Sequence, residues 1–237
     1  MGVNYFTLDY VSSAAYGVII SKAGVYGGPE RAYESVNVPG KDGAVIFDLG
    51  YYKNVTPYYE CGLLHDGANL DDFRAWLLSH TSYCRIADSY HPGEYRMGKP
   101  INGLDPDMYA SLRVGKFRLD FDCKPQRFLN SGLETTTLTS TGTITNPTLY
   151  TAKPLIRVYG YGSLGVGSDT VTIEQHPNLS YIDIDCDIQD SFYGSTNANQ
   201  YVKLSGSEYP VLKPGVCNIR LTGSVSRVII TPRWWTL

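Results

Sequence analysis

The densest run of chemistry-bearing residues is Tyr181–Asp190 (YIDIDCDIQD), which carries four carboxylates: Asp183, Asp185, Asp187 and Asp190. Carboxylates gathered with loop oxygens are what a hard cation such as Ca2+ or Mg2+ requires. These acids alternate with Ile182, Ile184, Cys186 and Ile188, a period of two. That pattern predicts a strand with its apolar face inward and a solvated acidic face outward. A helix-loop-helix calcium loop needs Gly at its sixth position and Glu at its twelfth, and neither spacing is met.

A second candidate is Gly160-Tyr-Gly162-Ser-Leu-Gly165, which spells G-x-G-x-x-G. As a dinucleotide fingerprint it needs a preceding strand and a following helix whose N-terminus holds the pyrophosphate. Thr170–Glu174 follows instead, a β-branched run, so the glycines read as turn residues. The four histidines, His65, His80, His91 and His176, form no H-E-x-x-H or other metal spacing. No Ser sits in G-x-S-x-G, and no pair of acids is singled out for glycoside hydrolysis. Hence no catalytic, cofactor-binding or metal residue is predicted, and the protein is expected not to be an enzyme.

The five cysteines, Cys61, Cys84, Cys123, Cys186 and Cys217, are scattered, odd in number and without a C-x-x-C pair. Free buried thiols in a protein made in a reducing cytoplasm are expected. Arg233-Trp234-Trp235 near the end of the chain offers one core Trp and one nearer the surface, since adjacent strand residues face opposite ways.

The elements that would position these residues are nearly all strands. Leu70–His80 (LDDFRAWLLSH) is the exception: Leu70, Phe73 and Leu77, flanked by Trp76, make one apolar helical stripe. Asn69 is a plausible N-cap, with Asp71 and Asp72 in the first turn. Before the helix, Tyr5–Ala15 and Gly17–Ser21 read as strands and Lys22–Glu34 as a loop. Ala44–Leu49 and Val55–Leu64 read as two strand runs around a Gly-Tyr-Tyr-Lys-Asn turn. Pro39-Gly40 suits a type II turn, and Asp42-Gly43 is a hairpin signal. After the helix, Tyr83–Tyr90 and Tyr95–Gly103 flank His91-Pro92-Gly93-Glu94 as a hairpin. Gly115–Lys124 alternates Phe117, Leu119, Phe121 and Cys123 against charge, the mark of a half-buried antiparallel strand.

Near residue 130 the texture turns rich in Thr, Ser and Gly, and a domain boundary is placed there, dividing the chain into residues 1–130 and 131–237. Short strand signals then recur at close spacing: Pro154–Tyr159, Thr170–Glu174, Tyr181–Ile188, Tyr201–Leu204, Cys217–Leu221 and Val225–Thr231. Together they suggest a β-sandwich. A net charge of −3 offers no field for nucleic acid. The first residues, MGVNYFTLDY, lack the basic and apolar regions of a signal peptide, and no run is long enough for a membrane span, so a soluble protein is expected.

Several of these stretches resemble the distal tail (Dit) proteins of long-tailed, non-contractile bacteriophages. Val36–Gly43 (VNVPGKDG) is similar to that family's Pro-Gly-Arg-Asp-Gly loop, with Lys41 where Arg is usual. Tyr83–Arg96 resembles a hairpin of its first domain, and Phe117–Phe128 the strand and Lys-Pro exit that close that domain. Asn146-Pro147 with Lys153–Gly162 is similar to the opening of its second domain, and Tyr209–Gly215 and Val228–Trp234 to its ending.

The resemblance implies a mainly β subunit: an N-terminal belt domain with one α-helix, and a C-terminal galectin-like β-sandwich. It implies that six copies close into a homo-hexameric hub ring at the distal end of the virion's tail. Its partners would be the tail tube protein, a tail-associated lysin or tail fibre hub protein, and receptor-binding proteins. Tyr51, Tyr52, Tyr58 and Tyr59 are the expected interface residues, because Tyr supplies contact area at low entropic cost. Alternation lets only one of each pair face a neighbour. The rival expectation is a carbohydrate-binding module that recognises host-surface glycans, since galectin-like sandwiches can bind sugars on one sheet. A cell-wall hydrolase comes third.

Overall fold

The structure is a computed structural model, and it describes residues 3–24, 27–63, 70–101, 107–109, 114–176 and 179–237. Leu64, His65, the Asn69 cap and Gly103 lie outside the described residues. Among the described residues the chain is mainly β with one α-helix, and it divides into two compact units between Arg127 and Phe128.

The first unit is built on an antiparallel sheet. Its strands follow the order Val11–Ser12, Phe6–Leu8, Cys84–Asp88, Glu94–Pro100, Val114–Leu129, Tyr58–Leu63 and Val18–Ala23. The alternation of Gly115–Lys124 is realised: Leu119, Phe121 and Cys123 are fully buried and Phe117 nearly so. The helix spans Leu70–Ser79 and buries Phe73 and Leu77 against that face. Phe73 meets Phe6 edge-on at 6.4 Å and Phe117 at 6.0 Å, while Phe6 stacks on Tyr59 at 5.6 Å. Such aromatic pairs add to the transfer free energy of their buried area.

Three local expectations differ here. Tyr5–Ala15 is not one strand. Asp9 and Tyr10 take positive φ (43° and 72°), turning Phe6–Leu8 back onto Val11–Ser12, and Ser13–Tyr16 is a 3-10 turn. The expected loop Lys22–Glu34 loses both ends: Lys22 and Ala23 complete the strand Val18–Ala23, and residues 31–34 begin a strand, Arg31–Asn37, paired with Ala44–Tyr52 in a separate two-stranded ribbon. Consequently Ala44–Tyr52 does not pair with Tyr58–Leu63. The backbone of residues 55–57 is already engaged by the long strand. Val55 N–H donates to Cys123 at 2.9 Å, and Phe121 N–H donates to Pro57 at 3.0 Å. The Pro39-Gly40 turn behaves as expected, with Gly40 at φ 79° and Lys41 N–H donating to Val38 at 3.1 Å. The hairpin of Cys84–Asp88 and Glu94–Pro100 also forms.

The second unit is a β-sandwich. One sheet orders Thr136–Leu138, Arg227–Thr231, Leu155–Tyr159, Ile182–Asp185, Asp190–Tyr193 and Thr196–Asn197. The other orders Gly142–Asn146, Gly215–Gly223, Gly162–Val166, Asp169–Ile173 and Val202–Leu204. Ile156, Val158, Ile182, Ile184, Val228 and Ile230 from the first sheet share one core with Leu164, Val166, Val171, Ile173 and Ile219 from the second. The Thr-rich stretch after residue 130 supplies a strand to each sheet, because β-branched Thr suits a pleated surface. The G-x-G-x-x-G glycines are structural. Gly160 and Gly162 take positive φ, and a Cβ on either would lie 2.1 Å from the Ser224 oxygen or 2.3 Å from the Thr222 oxygen. The strand Gly162–Val166 follows them, not a helix.

Candidate interaction surfaces

The two-stranded ribbon leaves apolar side chains on both faces. Cross-strand register sets Val36 opposite Val45 and Phe47 opposite Glu34 on one face, with Ile46 opposite Ser35 and Tyr33 opposite Asp48 on the other. Ile46 is 66% exposed, Phe47 54% and Tyr51 56%, and Tyr33, Val36 and Leu49 are exposed as well. A two-stranded ribbon is marginal on its own, and one apolar on both faces gains stability only by being covered. A carboxylate pins its base. Asp48 accepts a two-pronged bond from Arg31 (Nε to Oδ1 at 2.9 Å) and the Gly50 N–H at 2.8 Å, at the bulge where the register shifts. The Arg31 fork, then the Gly50 N–H, hold the Asp48 carboxyl below its usual range. Arg31 also covers the Tyr52 ring at 4.7 Å.

The four tyrosines therefore separate. Tyr51 is exposed on the ribbon and Tyr52 lies under Arg31. Tyr58 is half-buried beneath the Arg118 guanidinium, 3.7 Å from its ring centre. Tyr59 is a core residue, 4% exposed, whose hydroxyl donates to Asp88 at 2.6 Å. Asp88 in turn accepts the Tyr90 and His91 N–H groups, so this buried carboxylate organises the hairpin turn.

In the second unit the acidic run is corrected. Ile182 and Ile184 face the core as the period of two requires, but Asp183 and Asp185 are buried, not solvated. Asp183 binds Arg157 through two bonds of 2.7 and 2.8 Å, and Asp185 binds Arg233 in the same way. The strand stops at Asp185. Gln189 at φ 55° turns the chain back, leaving Asp187 and Ile188 exposed rather than alternating. Burial, the largest influence, raises the Asp185 carboxyl. The Arg233 fork and the Asp187 and Ile188 N–H groups outweigh it, and the net direction is down.

Around Arg157, arginines and tyrosines gather at one end of the sheet. Arg157 sits 4.0 Å over Tyr181 and Arg227 4.0 Å over Tyr159, while Tyr181 lies 4.8 Å from Tyr193 and 5.9 Å from Tyr159. Sequence reasoning missed this set. Arg157, Tyr159, Tyr193 and Arg227 come from three strands and Tyr181 from the residue before a fourth, and the strand pairing that gathers them is not written in any local pattern. Trp234 is core, as alternation predicts. Trp235 stacks on Tyr150 at 4.5 Å and donates its indole N–H to Thr151 at 3.0 Å, so it is held within the unit. His91 rests on Asp88, and His176 lies edge-on to Tyr201 at 6.0 Å.

The two units together have a counterpart in fold among solved chains of phage tails and baseplates. Over its whole length the chain has the fold of a solved example, the Dit protein (gp 19.1) of phage SPP1, described as a paradigm of the hub adsorption apparatus of phages infecting Gram-positive hosts. The TM-score is 0.69 at 16% identity, with 100% of both chains covered. It is also similar to a chain of the phage p2 baseplate in its activated conformation with Sr, at TM-score 0.53 and 10% identity, covering 97% of each chain. No protein-family model matches the sequence, and no curated protein does.

Proposed function

We propose that this chain is a structural, non-enzymatic hub subunit of a phage tail. Six copies form a ring at the distal end that joins the tail tube to the host-adsorption proteins below. Residues of the first unit make the ring's belt, and the second unit, a galectin-like sandwich, sits at its periphery. The observation that carries the reading is the ribbon of Arg31–Asn37 and Ala44–Tyr52, with apolar side chains bare on both faces, in a chain whose fold matches a tail hub end to end. A ring needs heterologous contacts in which one patch meets a different patch on the next copy, and a projecting ribbon is suited to that. Tyr51, and the uncovered part of Tyr58, are the tyrosines with area to offer. Native mass measurement of the purified protein tests the proposal. Species at six times the 26.2 kDa chain mass are expected, alone or once a tail neighbour is added. A strict monomer in every mixture, or a closed two-fold dimer, refutes it.

One observation favours a second reading, a glycan-binding role for the sandwich: the Tyr159, Tyr181 and Tyr193 rings clustered with Arg157 and Arg227 at one end of a sheet. Rings and guanidinium groups are what sugar faces and hydroxyls engage. Two of the rings are already covered by arginines, so the hub reading stands first. Calorimetric titration of host-wall oligosaccharides giving micromolar affinity, lost in a Tyr193→Ala variant, would reverse that order.

A further inference from the structure

Three polar side chains from separate parts of the first unit converge where none of the sequence spacings suggested a site. Asp9 lies on the turn between Phe6–Leu8 and Val11–Ser12, His80 directly follows the helix, and Cys84 opens the strand Cys84–Asp88. One ligand atom from each lies within 4.8 Å of the other two. We propose that Asp9, His80 and Cys84 bind a borderline-soft divalent cation of the zinc class, with water completing a four-coordinate shell.

The donor set selects the metal. Carboxylate, imidazole and thiolate together suit Zn2+, whereas Ca2+ and Mg2+ take oxygen alone. The ligands are also oriented from behind. His80 Nδ1 lies 2.8 Å from the Trp76 carbonyl. A carbonyl only accepts, so Nδ1 carries the proton and Nε2 presents its lone pair, the arrangement that second-shell partners impose on metal-binding histidines. Asp9 is clamped along Arg85: its N–H donates to the Arg85 carbonyl at 2.9 Å, and its Oδ1 accepts the Arg85 N–H at 2.9 Å. That leaves Oδ2 for an ion.

The site has a buried wall and an open side, since Cys84 is 6% exposed, His80 is half-buried and Asp9 is exposed, so an ion has a path in. With bond lengths of roughly 2.0–2.3 Å, ligand atoms in a tetrahedron stand about 3.3–3.8 Å apart. Side-chain rotation closes the remaining ångström. Binding replaces the Cys84 S–H bond with a sulfur–metal bond and releases one proton to solvent, with no change of oxidation state. Without the ion, burial first and the Asp9 charge second push the Cys84 thiol up to about 11. A dication reverses the second influence, drawing carboxylate and thiolate together. The bound ion would tie the first turn, the helix end and a central strand into one joint.

The test uses tag-free protein stripped with chelator, then titrated with Zn2+ or Co2+. Expected are one ion per chain, thiolate-to-cobalt charge-transfer absorption in the near ultraviolet, about one proton released per ion, and a rise in melting temperature. In a Cys84→Ser variant the charge-transfer band should vanish. His80→Gln, at a half-exposed position that tolerates the change, should weaken Zn2+ at least tenfold. Asp9→Asn keeps a residue type that accepts positive φ and should weaken it similarly, so the proposal stays testable if Cys84→Ser misfolds. Cobalt spectra without a thiolate band, or Zn2+ affinity unchanged by both His80→Gln and Asp9→Asn, would overturn the assignment.

Discussion

Replacing Ile46 and Phe47 together by Ser should separate assembly from folding. Full burial of either side chain is worth about 1.5–3 kcal/mol. In the isolated chain Ile46 keeps 66% of its surface and Phe47 54%, so the part still available to a partner is worth about 1–2 and 0.8–1.6 kcal/mol respectively. Their loss should cost about 2–3.5 kcal/mol at each subunit contact, a dissociation constant roughly 30- to 300-fold higher. The chain itself should lose about 1 kcal/mol or less, from the poorer strand preference of Ser, because neither residue is in the core. Sedimentation velocity and native mass spectra at matched concentration read the first quantity, and thermal melting reads the second. The expected result is a shift from ring to free subunit, with the melting transition moved by no more than ~5 °C. If the double variant assembles at wild-type concentration while its ribbon stays folded, the ribbon is not the contact and the reasoning fails. Assembly lost only alongside global unfolding would fail it equally.

Asp185→Asn should destabilise the second unit by roughly 2–4 kcal/mol in urea unfolding. That is somewhat below the 3–5 of a fully buried broken pair, since the Arg233 side chain keeps 29% exposure to water. The same carboxyl is held below its ordinary value near 3.8 when folded, so its stabilisation is present above that pH and fades as pH falls through the depressed value. An acid titration of unfolding free energy should show this loss in the wild type, and the Asp185→Asn variant should lack that part of the slope. Burial pushes the Cys61, Cys123 and Cys186 thiols up to about 12, so a disulfide reagent at pH 8 should leave them untouched in the native protein and modify them in denaturant. Fast native labelling of any of these three would contradict their burial. Tyr59→Phe removes the 2.6 Å bond to the buried Asp88 and should cost about 1–3 kcal/mol without altering the number of subunits in the assembly, as a core residue should and an interface residue should not.

Where the pattern was local, it was legible before any coordinates. Phe117, Leu119, Phe121 and Cys123 announce a half-buried strand because one face must leave water, and Phe73 and Leu77 announce a helix for the same reason at a different period. Pro39-Gly40 announces its turn because few residues accept the φ that Gly40 adopts. Between Arg31 and Leu63 local pattern does not suffice, because a partner decides. Arg31–Asn37 carries Tyr, Glu and Ser with no clean alternation, and it becomes a strand only because Ala44–Tyr52 folds back on it. Gly50-Tyr-Tyr-Lys-Asn reads as a turn between two paired strands, yet Gly50–Tyr52 prolongs the strand Ala44–Tyr52 and the backbone of Val55 and Pro57 bonds to Val114–Leu129 instead.

The candidate sites lie further still from local pattern. Alternation set Asp183 and Asp185 on the face opposite Ile182 and Ile184, which is all that a period of two can say. Arg157 lies on a neighbouring strand and Arg233 beyond the last long one, and they turned that face from solvated acid into buried ion pairs. Asp9 stands more than seventy residues from His80 and Cys84, a separation over which no spacing rule operates. Composition and periodicity by themselves determined a mainly β chain with one amphipathic helix, free thiols and no recognisable catalytic motif, because burial of apolar faces is a short-range requirement that each segment must meet. Only the tertiary structure decided which strands pair, which carboxylates find a guanidinium and which side chains remain bare, because those depend on register between segments that first meet when the chain closes.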